Sequence, residues 1–237
     1  MLDNPWMIVV CGPNGAGKST FYRDILSEDP FVKNAEFINL DNEAAEMAEK
    51  SGKSVDEVMN EAGRKIIRRI DEKLENRQTF IYETTSSGRA HLNIMKKAKE
   101  HNFDIATVFI GLSSADLSVF RVKQRFMNGG HDVPIETIER RFPKIMNNFP
   151  DVLKVSDLSL AFDNSMESPF ELIFIMDEKN LLIFQDYPQW LESALKGRKT
   201  SKEIIHISKE DIDFSNKENI SILTERIFGV LAKQNSK

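Results

Sequence analysis

Trp6-Met7-Ile8-Val9-Val10-Cys11 runs without a break into Gly12-Pro13-Asn14-Gly15-Ala16-Gly17-Lys18-Ser19-Thr20. The first six residues are apolar, too few for a helix and rich in β-branched side chains, which predicts a strand buried on both faces. The following nine fit the pattern G-x-x-x-x-G-K-[ST], and Lys18 to Leu26 has helical composition. Strand, glycine loop and helix are the context in which that pattern binds phosphate. The glycines let successive backbone N–H groups curl around phosphate oxygens, and the helix N-terminus adds a partial positive charge. Residues Gly12, Pro13, Asn14, Gly15, Ala16, Gly17, Lys18, Ser19 and Thr20 are therefore expected to form an anion cradle. Lys18 is expected to reach the β- and γ-phosphates and the Ser19 hydroxyl to ligate Mg²⁺, so a nucleoside triphosphate with Mg²⁺ is implied. Cys11, inside the strand, is read as core filler.

Beyond this loop the apolar runs keep alternating with helical periodicity. Glu36 to Leu40 predicts a second strand ending at Asp41. Ser54-Val55-Asp56-Glu57 is a capping-box pattern, and Val58, Ala62, Ile66, Ile70 and Leu74 recur at four-residue steps, which predicts one long amphipathic helix. Thr79 to Tyr82 predicts a third strand ending at Glu83, Gly88 to His101 a helix, Phe103 to Leu112 a fourth strand and Ser114 to Met127 a helix. A turn-rich break at Asn128-Gly129-Gly130-His131-Asp132-Val133-Pro134, where His131 is expected to shape the turn, precedes a helix from Ile135 to about Asn148. Asp157 to Phe162 predicts a fifth strand. This alternation implies an α/β fold of three αβα layers around a mostly parallel sheet, the architecture of P-loop NTPases.

After Asn164 the rhythm changes. Phe170 to Met176 and Asn180 to Gln185 predict a hairpin that adds antiparallel strands at one edge, and Ile220 to Ala232 predicts an amphipathic helix. We therefore expect a core over residues 1–164, with a helical lid at about 121–148, and an extension over 165–237 packed on that core.

Composition narrows the partners. The 237 residues carry 32 basic and 37 acidic side chains, a net charge of −5, which disfavours a nucleic-acid-binding surface. One cysteine excludes an intrachain disulfide and points to a reducing, cytoplasmic setting. No apolar run approaches the ~20 residues of a membrane-spanning helix. Within that acidic chain, Arg121 to Lys144 is locally basic, with Arg121, Lys123, Arg125, Arg140, Arg141 and Lys144 set against Asp132, Glu136 and Glu139. Arg121 and Arg125 are four apart and share a helix face, as cationic cover over phosphates requires.

The type of phosphate-loop protein follows by exclusion and by what the chain offers. No Asp has a Gly three positions on, and Asn216-Lys217-Glu218-Asn219 lacks the final Asp of N-K-x-D, which disfavours a GTPase. Leu112-Ser113-Ser114-Ala115-Asp116 is a poor substitute for the signature of a transport cassette. Two strand-end carboxylates, Asp41 and Glu83, beside the loop suit a small-molecule kinase. One would accept the proton of the substrate hydroxyl, and the other would orient substrate or a metal-bound water. For Asp41 the alternative is a helix N-cap, and for Glu83 a hydrogen bond to its own loop.

These residues resemble the zeta-toxin family of P-loop kinases and its stand-alone relatives. The resemblance is carried by Gly12 to Thr20, Asp41, Glu83-Thr84-Thr85, Arg121-Val122 through Arg125, Gly129-Gly130-His131-Asp132-Val133-Pro134, Arg140-Arg141-Phe142 and Phe162-Asp163-Asn164. It implies ATP-dependent phosphorylation of a sugar hydroxyl, on UDP-N-acetylglucosamine in the toxins. Asp41 would then be the base, Glu83 and Thr85 would line the substrate pocket, and Arg121, Arg125, Arg140 or Arg141 would clamp ATP. It also implies an antitoxin protein as partner. The chain departs from the toxins in having Glu-Thr-Thr rather than Glu-Gly-Thr after the third strand. The second functional class is a nucleotide-dependent regulator whose ATP state controls a partner with little phosphotransfer.

Overall fold

The computed structural model describes residues 4–130, 132–166, 170–177, 180–184, 187–195 and 203–207. His131 and the helix expected over 220–232 lie outside the described residues. Among the described residues, eight strands form one sheet: β1 (Trp6–Cys11), β2 (Glu36–Asn39), β3 (Phe80–Thr84), β4 (Asp104–Gly111), β5 (Leu158–Asp163), β6 (Glu171–Met176), β7 (Asn180–Phe184) and β8 (Glu203–Ile207). Their spatial order is β2-β3-β1-β4-β5-β6-β7-β8. The first five strands are mutually parallel, as right-handed crossovers through helices require. β6 runs antiparallel to β5 and β7 antiparallel to β6, so the hairpin extends the edge as expected. β8, pairing parallel with β7, adds a strand that the sequence reading lacks.

All six residues of β1 are buried, which is the consequence of a central strand covered on both faces. The helices are α1 (Lys18–Phe21), continued by a π-helical turn over Tyr22–Leu26, α2 (Leu40–Ser51), α3 (Val55–Glu75), α4 (Ala90–Glu100), α5 (Ala115–Met127), α6 (Ile135–Val155) and α7 (Gln189–Leu195). On one face of the sheet Ile66, Ile70 and Leu74 of α3, Met95 and Ala98 of α4 and Phe149 and Val152 of α6 close over Met7, Val9 and Phe109. On the other, Phe21, Ile25 and Leu26 pack on Ile8, Val10 and Phe162. The result is a three-layer α/β fold. No helix among the described residues is long and apolar enough to cross a membrane.

Boundaries near the loop and along α6 differ from expectation. β2 stops at Asn39, not Asp41, because the Asn39 side chain accepts a hydrogen bond from the Asn42 backbone N–H at 2.9 Å and caps α2. Asp41 therefore sits in the first helical turn beyond the strand. Glu83 lies within β3, paired in register with Val10. α6 continues past Asn148 to Val155, through Pro143 and Pro150. Its buried face of Ile138, Ile145, Phe149, Val152 and Leu153 outweighs the roughly 3 kcal/mol that each interior proline costs. The capping box at Ser54 and Glu57 forms as read, with Ser54 N–H and Oγ both donating to Glu57 Oε2 at 2.8 and 2.7 Å.

Candidate active site

β1 has β3 on one side and β4 on the other, so the connections to its two neighbours leave in opposite directions and a crevice opens beyond its carboxyl end. The loop after it fills that crevice. Gly12 has φ +140°, and a Cβ there would lie 2.1 Å from the carbonyl oxygen of Ile110 in β4. Gly17 has φ +91°, and a Cβ would meet the Asn164 amide at 2.9 Å and the Phe170 ring at 3.2 Å. Only glycine fits at either position.

Two side chains from distant segments hold the loop from outside. Ser118 of α5 donates to the Asn14 carbonyl at 2.5 Å, and Asn164 donates through Nδ2 to the Ala16 carbonyl at 2.9 Å. Phe170 backbone N–H in turn donates to Asn164 Oδ1 at 3.3 Å. The Asn14 and Ala16 carbonyls are thereby engaged by other segments of the chain.

Inside the crevice the charged groups converge. Lys18 is 8% exposed; its Nζ donates to the Pro13 carbonyl at 2.9 Å and lies 4.0 Å from Glu83 Oε1. Burial pulls the Lys18 ammonium below the ordinary lysine range, opposed by the charges of Glu83, Asp41 and Cys11, while Arg125 adds to the lowering. Ser19 Oγ donates to Glu83 Oε2 at 2.8 Å, so one carboxylate touches both the lysine and the hydroxyl of the loop. Burial pushes the Cys11 thiol up to about 12, against the pull of the Lys18 charge, which leaves it an inert core group. Arg121, half-buried on α5, is held below its usual range by burial and partly restored by Asp163.

Two cavities adjoin here. The first, about 550 Å³, is lined by Gly15, Gly17, Lys18, Ser19, Thr20, Arg23, Arg121 and Arg125 among others. The second, about 710 Å³, is lined by Tyr82, Thr84, Thr85, Ser87, Asp132, Thr137 and Arg141 among others. Both are also lined by Asn14, Asn39, Asp41 and Glu83, which form the boundary between them.

Of the residues singled out in the sequence, Lys18, Ser19, Asp41, Glu83, Arg121 and Arg125 come together on the loop side, and Thr85 and Arg141 on the other. Arg141 therefore faces the second cavity and not the loop. Arg140 is exposed on α6 and lines neither cavity. Pro13 and Ala16 are buried within the loop, Pro13 supplying the carbonyl that Lys18 holds. The sequence reading missed Asn39, Tyr82, Asp56 and Asp132. Asn39 has the signature of an N-cap and Asp56 that of an acidic first helical turn, so neither carries a local sign of facing a cavity.

Comparison with known proteins bears on the family and the fold. The model of the AAA domain family matches residues 7–146, which spans β1 through most of α6. A Haemophilus influenzae protein described as uncharacterized is 29% identical over 137 residues, 57% of this chain and 91% of that one. Among solved structures, a chain of AvrRxo1-ORF1:-ORF2 with ATP aligns with a TM-score of 0.65 and 14% identity, over 84% of this chain and 66% of that chain. A chain from the PezAT chromosomal toxin-antitoxin system of Streptococcus pneumoniae aligns with a TM-score of 0.52 and 18% identity, over 68% of each. The chain thus spans just under two thirds of the AvrRxo1 chain. At these identities the likeness is one of fold.

Proposed function

The chain belongs to the AAA domain family, and from that premise we propose that it is an ATP- and Mg²⁺-dependent phosphotransferase acting on a small-molecule hydroxyl. The observation that carries this reading is the pair of cavities that meet at Asp41 and Glu83: one is lined by the phosphate loop, and the other leads away from it. A binding protein needs only the first.

The residues fit both ligands. Gly12 and Gly17 occupy backbone positions that a Cβ would block, leaving loop N–H groups for phosphate oxygens. The Ser19 hydroxyl and Glu83 carboxylate, 2.8 Å apart, are hard oxygen donors of the kind Mg²⁺ takes, and Mg²⁺ completes its shell with phosphate and water rather than a dense carboxylate cage. When bound, Mg²⁺ would supply charge neutralisation at the β- and γ-phosphates.

Lys18 gives up the Pro13 carbonyl for phosphate oxygens, a change that its buried ammonium favours because an anion replaces a neutral acceptor. Asp41 accepts the proton of the acceptor hydroxyl. The acceptor oxygen forms its bond to the γ-phosphorus as the bond from that phosphorus to the bridging oxygen breaks, and the electron pair leaves with ADP. Glu83 orients the Ser19 hydroxyl, and these two oxygen donors would hold Mg²⁺. Arg121 and Arg125 on α5 spread positive charge over the moving phosphoryl group, and the segment 121–148, hinged at the break around Gly129, acts as a lid. In this reading the chain is zeta-toxin-like, works in the cytoplasm and answers to a protein partner of the antitoxin kind.

The test is transfer from γ-labelled ATP to a panel of sugars and nucleotide sugars by the wild type and by Asp41→Asn. The variant is expected to bind ATP with unchanged affinity and to lose transfer by a factor of about 10² or more. Full transfer by the variant would remove Asp41 from its role. ATP binding without transfer to any acceptor by the wild type would favour the regulatory alternative.

A further inference from the structure

The second cavity differs in charge from a site built for phosphate. Four carboxylates line it, Asp41, Asp56, Glu83 and Asp132, and Arg141 is the one basic residue lining it among the described residues. Glu83 is committed to Lys18 and Ser19. Asp41 stands at the boundary, within the field of the Lys18 ammonium. Asp56, in the first turn of α3, and Asp132, in the loop before α6, lie in neither environment and make no ion pair or side-chain hydrogen bond among the described residues. They are the charges an incoming molecule meets.

A separate observation marks the cavity as a place where a polar ligand docks. Asn14 lines both cavities and is 7% exposed, yet its Oδ1 has no hydrogen-bond partner. A buried amide oxygen left alone costs about 1–3 kcal/mol unless a ligand donor or a water meets it. The neighbouring wall offers hydroxyls from Thr85, Ser87 and Thr137 beside the half-buried ring of Tyr82. Hydroxyls beside one aromatic face suit a polyhydroxylated ring.

We propose that the acceptor is a hydroxylated ring compound bearing a protonated amine, of the amino-sugar or aminocyclitol class, and not a nucleotide sugar. This rests on the phosphotransferase reading and specifies its substrate. A diphosphate-linked sugar brings two negative charges to a wall where four carboxylates face one guanidinium, that of Arg141. An ammonium group instead finds Asp56 and Asp132, while a ring hydroxyl gives its proton to Asp41 and takes the γ-phosphoryl group with ADP as the leaving group. The cavity volume, about 710 Å³, accommodates more than one sugar ring.

A matched series separates charge from shape: D-glucosamine, N-acetylglucosamine and UDP-N-acetylglucosamine carry a cation, no charge and a dianion on related rings, and kanamycin supplies a larger polyamine. Each is assayed with γ-labelled ATP and Mg²⁺ for kcat/KM at low and high salt. The cationic acceptors are expected to exceed N-acetylglucosamine by about tenfold, with the gap shrinking at high salt, and UDP-N-acetylglucosamine to fall below it. Asp56→Asn with Asp132→Asn is expected to raise KM for the cationic acceptors about tenfold and to erase the preference. The inference is overturned, with the phosphotransferase reading intact, if UDP-N-acetylglucosamine matches or exceeds the amines, or if the double variant keeps the preference. Absence of transfer to every acceptor, by protein that binds ATP, overturns both.

Discussion

Arg69 of α3 is half-buried and ties together two elements that flank Asp41. Its Nε donates to Glu36 Oε1 at 2.9 Å, and its terminal nitrogens reach Glu36 and Glu43. Glu36 opens β2 and Glu43 lies two residues after Asp41, so the guanidinium fixes the strand and the first turn of α2 to each other. Burial opposes ionisation of Glu36, but hydrogen bonds from Lys73 and Arg69 outweigh it and hold the carboxyl below its usual range. Replacing Arg69 with Met leaves Glu43, 2% exposed, with Lys65 Nζ at 2.5 Å as its remaining cation. Breaking a buried pair outright costs roughly 3–5 kcal/mol. Because Lys65 stays and Arg69 is 31% exposed, about 2 kcal/mol is the expected loss. For a chain of this size that lowers Tm by roughly 4–8 °C. Urea unfolding of Arg69→Met, Glu43→Gln and the double variant measures the coupling, expected at ~1 kcal/mol or more. In transfer assays Arg69→Met should depress kcat more than KM for ATP, since it loosens Asp41 and leaves the phosphate loop alone. Additive unfolding energies with unchanged kcat would refute the reasoning.

Two other predictions concern stability. Gly12→Ala places a Cβ 2.1 Å from the Ile110 carbonyl at a backbone angle that L-residues rarely adopt, so unfolding should become easier by about 3 kcal/mol or more and ATP binding by calorimetry should vanish. A wild-type Tm for this variant would contradict the loop's packing. His91 is buried, and burial followed by the Arg89 charge lowers its pKa from 6.5 to about 4. The folded state thus holds the neutral ring; the stability this confers is present above pH 6.5 and is lost as pH falls towards 4, up to roughly 3 kcal/mol. His91→Gln should flatten the wild type's fall in urea midpoint between pH 7 and pH 5, and an equally steep fall in the variant would assign it to other groups.

The parts of this structure that the sequence displays openly are those set by local periodicity. β1 and the loop after it, and the apolar ladder of α3 ending at Leu74, fall where composition and spacing put them because burial on two faces, or on one helical stripe, writes itself along the chain. Glu83 and Ser19 are separately recognisable, but their 2.8 Å contact depends on β3 lying beside β1, a pairing that no local pattern encodes. The same holds for Asn164, which reaches Ala16 across 148 residues. α6 hides its length because Pro150, just past the expected end, signals a stop that tertiary packing overrides. Asp56 and Asp132 look like ordinary surface charges in sequence; the cavity gives them their meaning. Arg141 and its neighbour Arg140 are equivalent as sequence, and a turn of 100° about the helix axis decides which faces the cavity.

On the proposed function, a triphosphate seated in the loop ends where the two cavities join. A crystal structure of the protein with Mg²⁺ and a nonhydrolysable ATP analogue tests it most directly. The account predicts the β- and γ-phosphates within the loop from Gly12 to Ser19, with Lys18 Nζ turned from Pro13 onto them and the γ-phosphate facing Asp41 and the second cavity. A nucleotide bound elsewhere, or one whose γ-phosphate points away from Asp41 with the second cavity closed off, would contradict it.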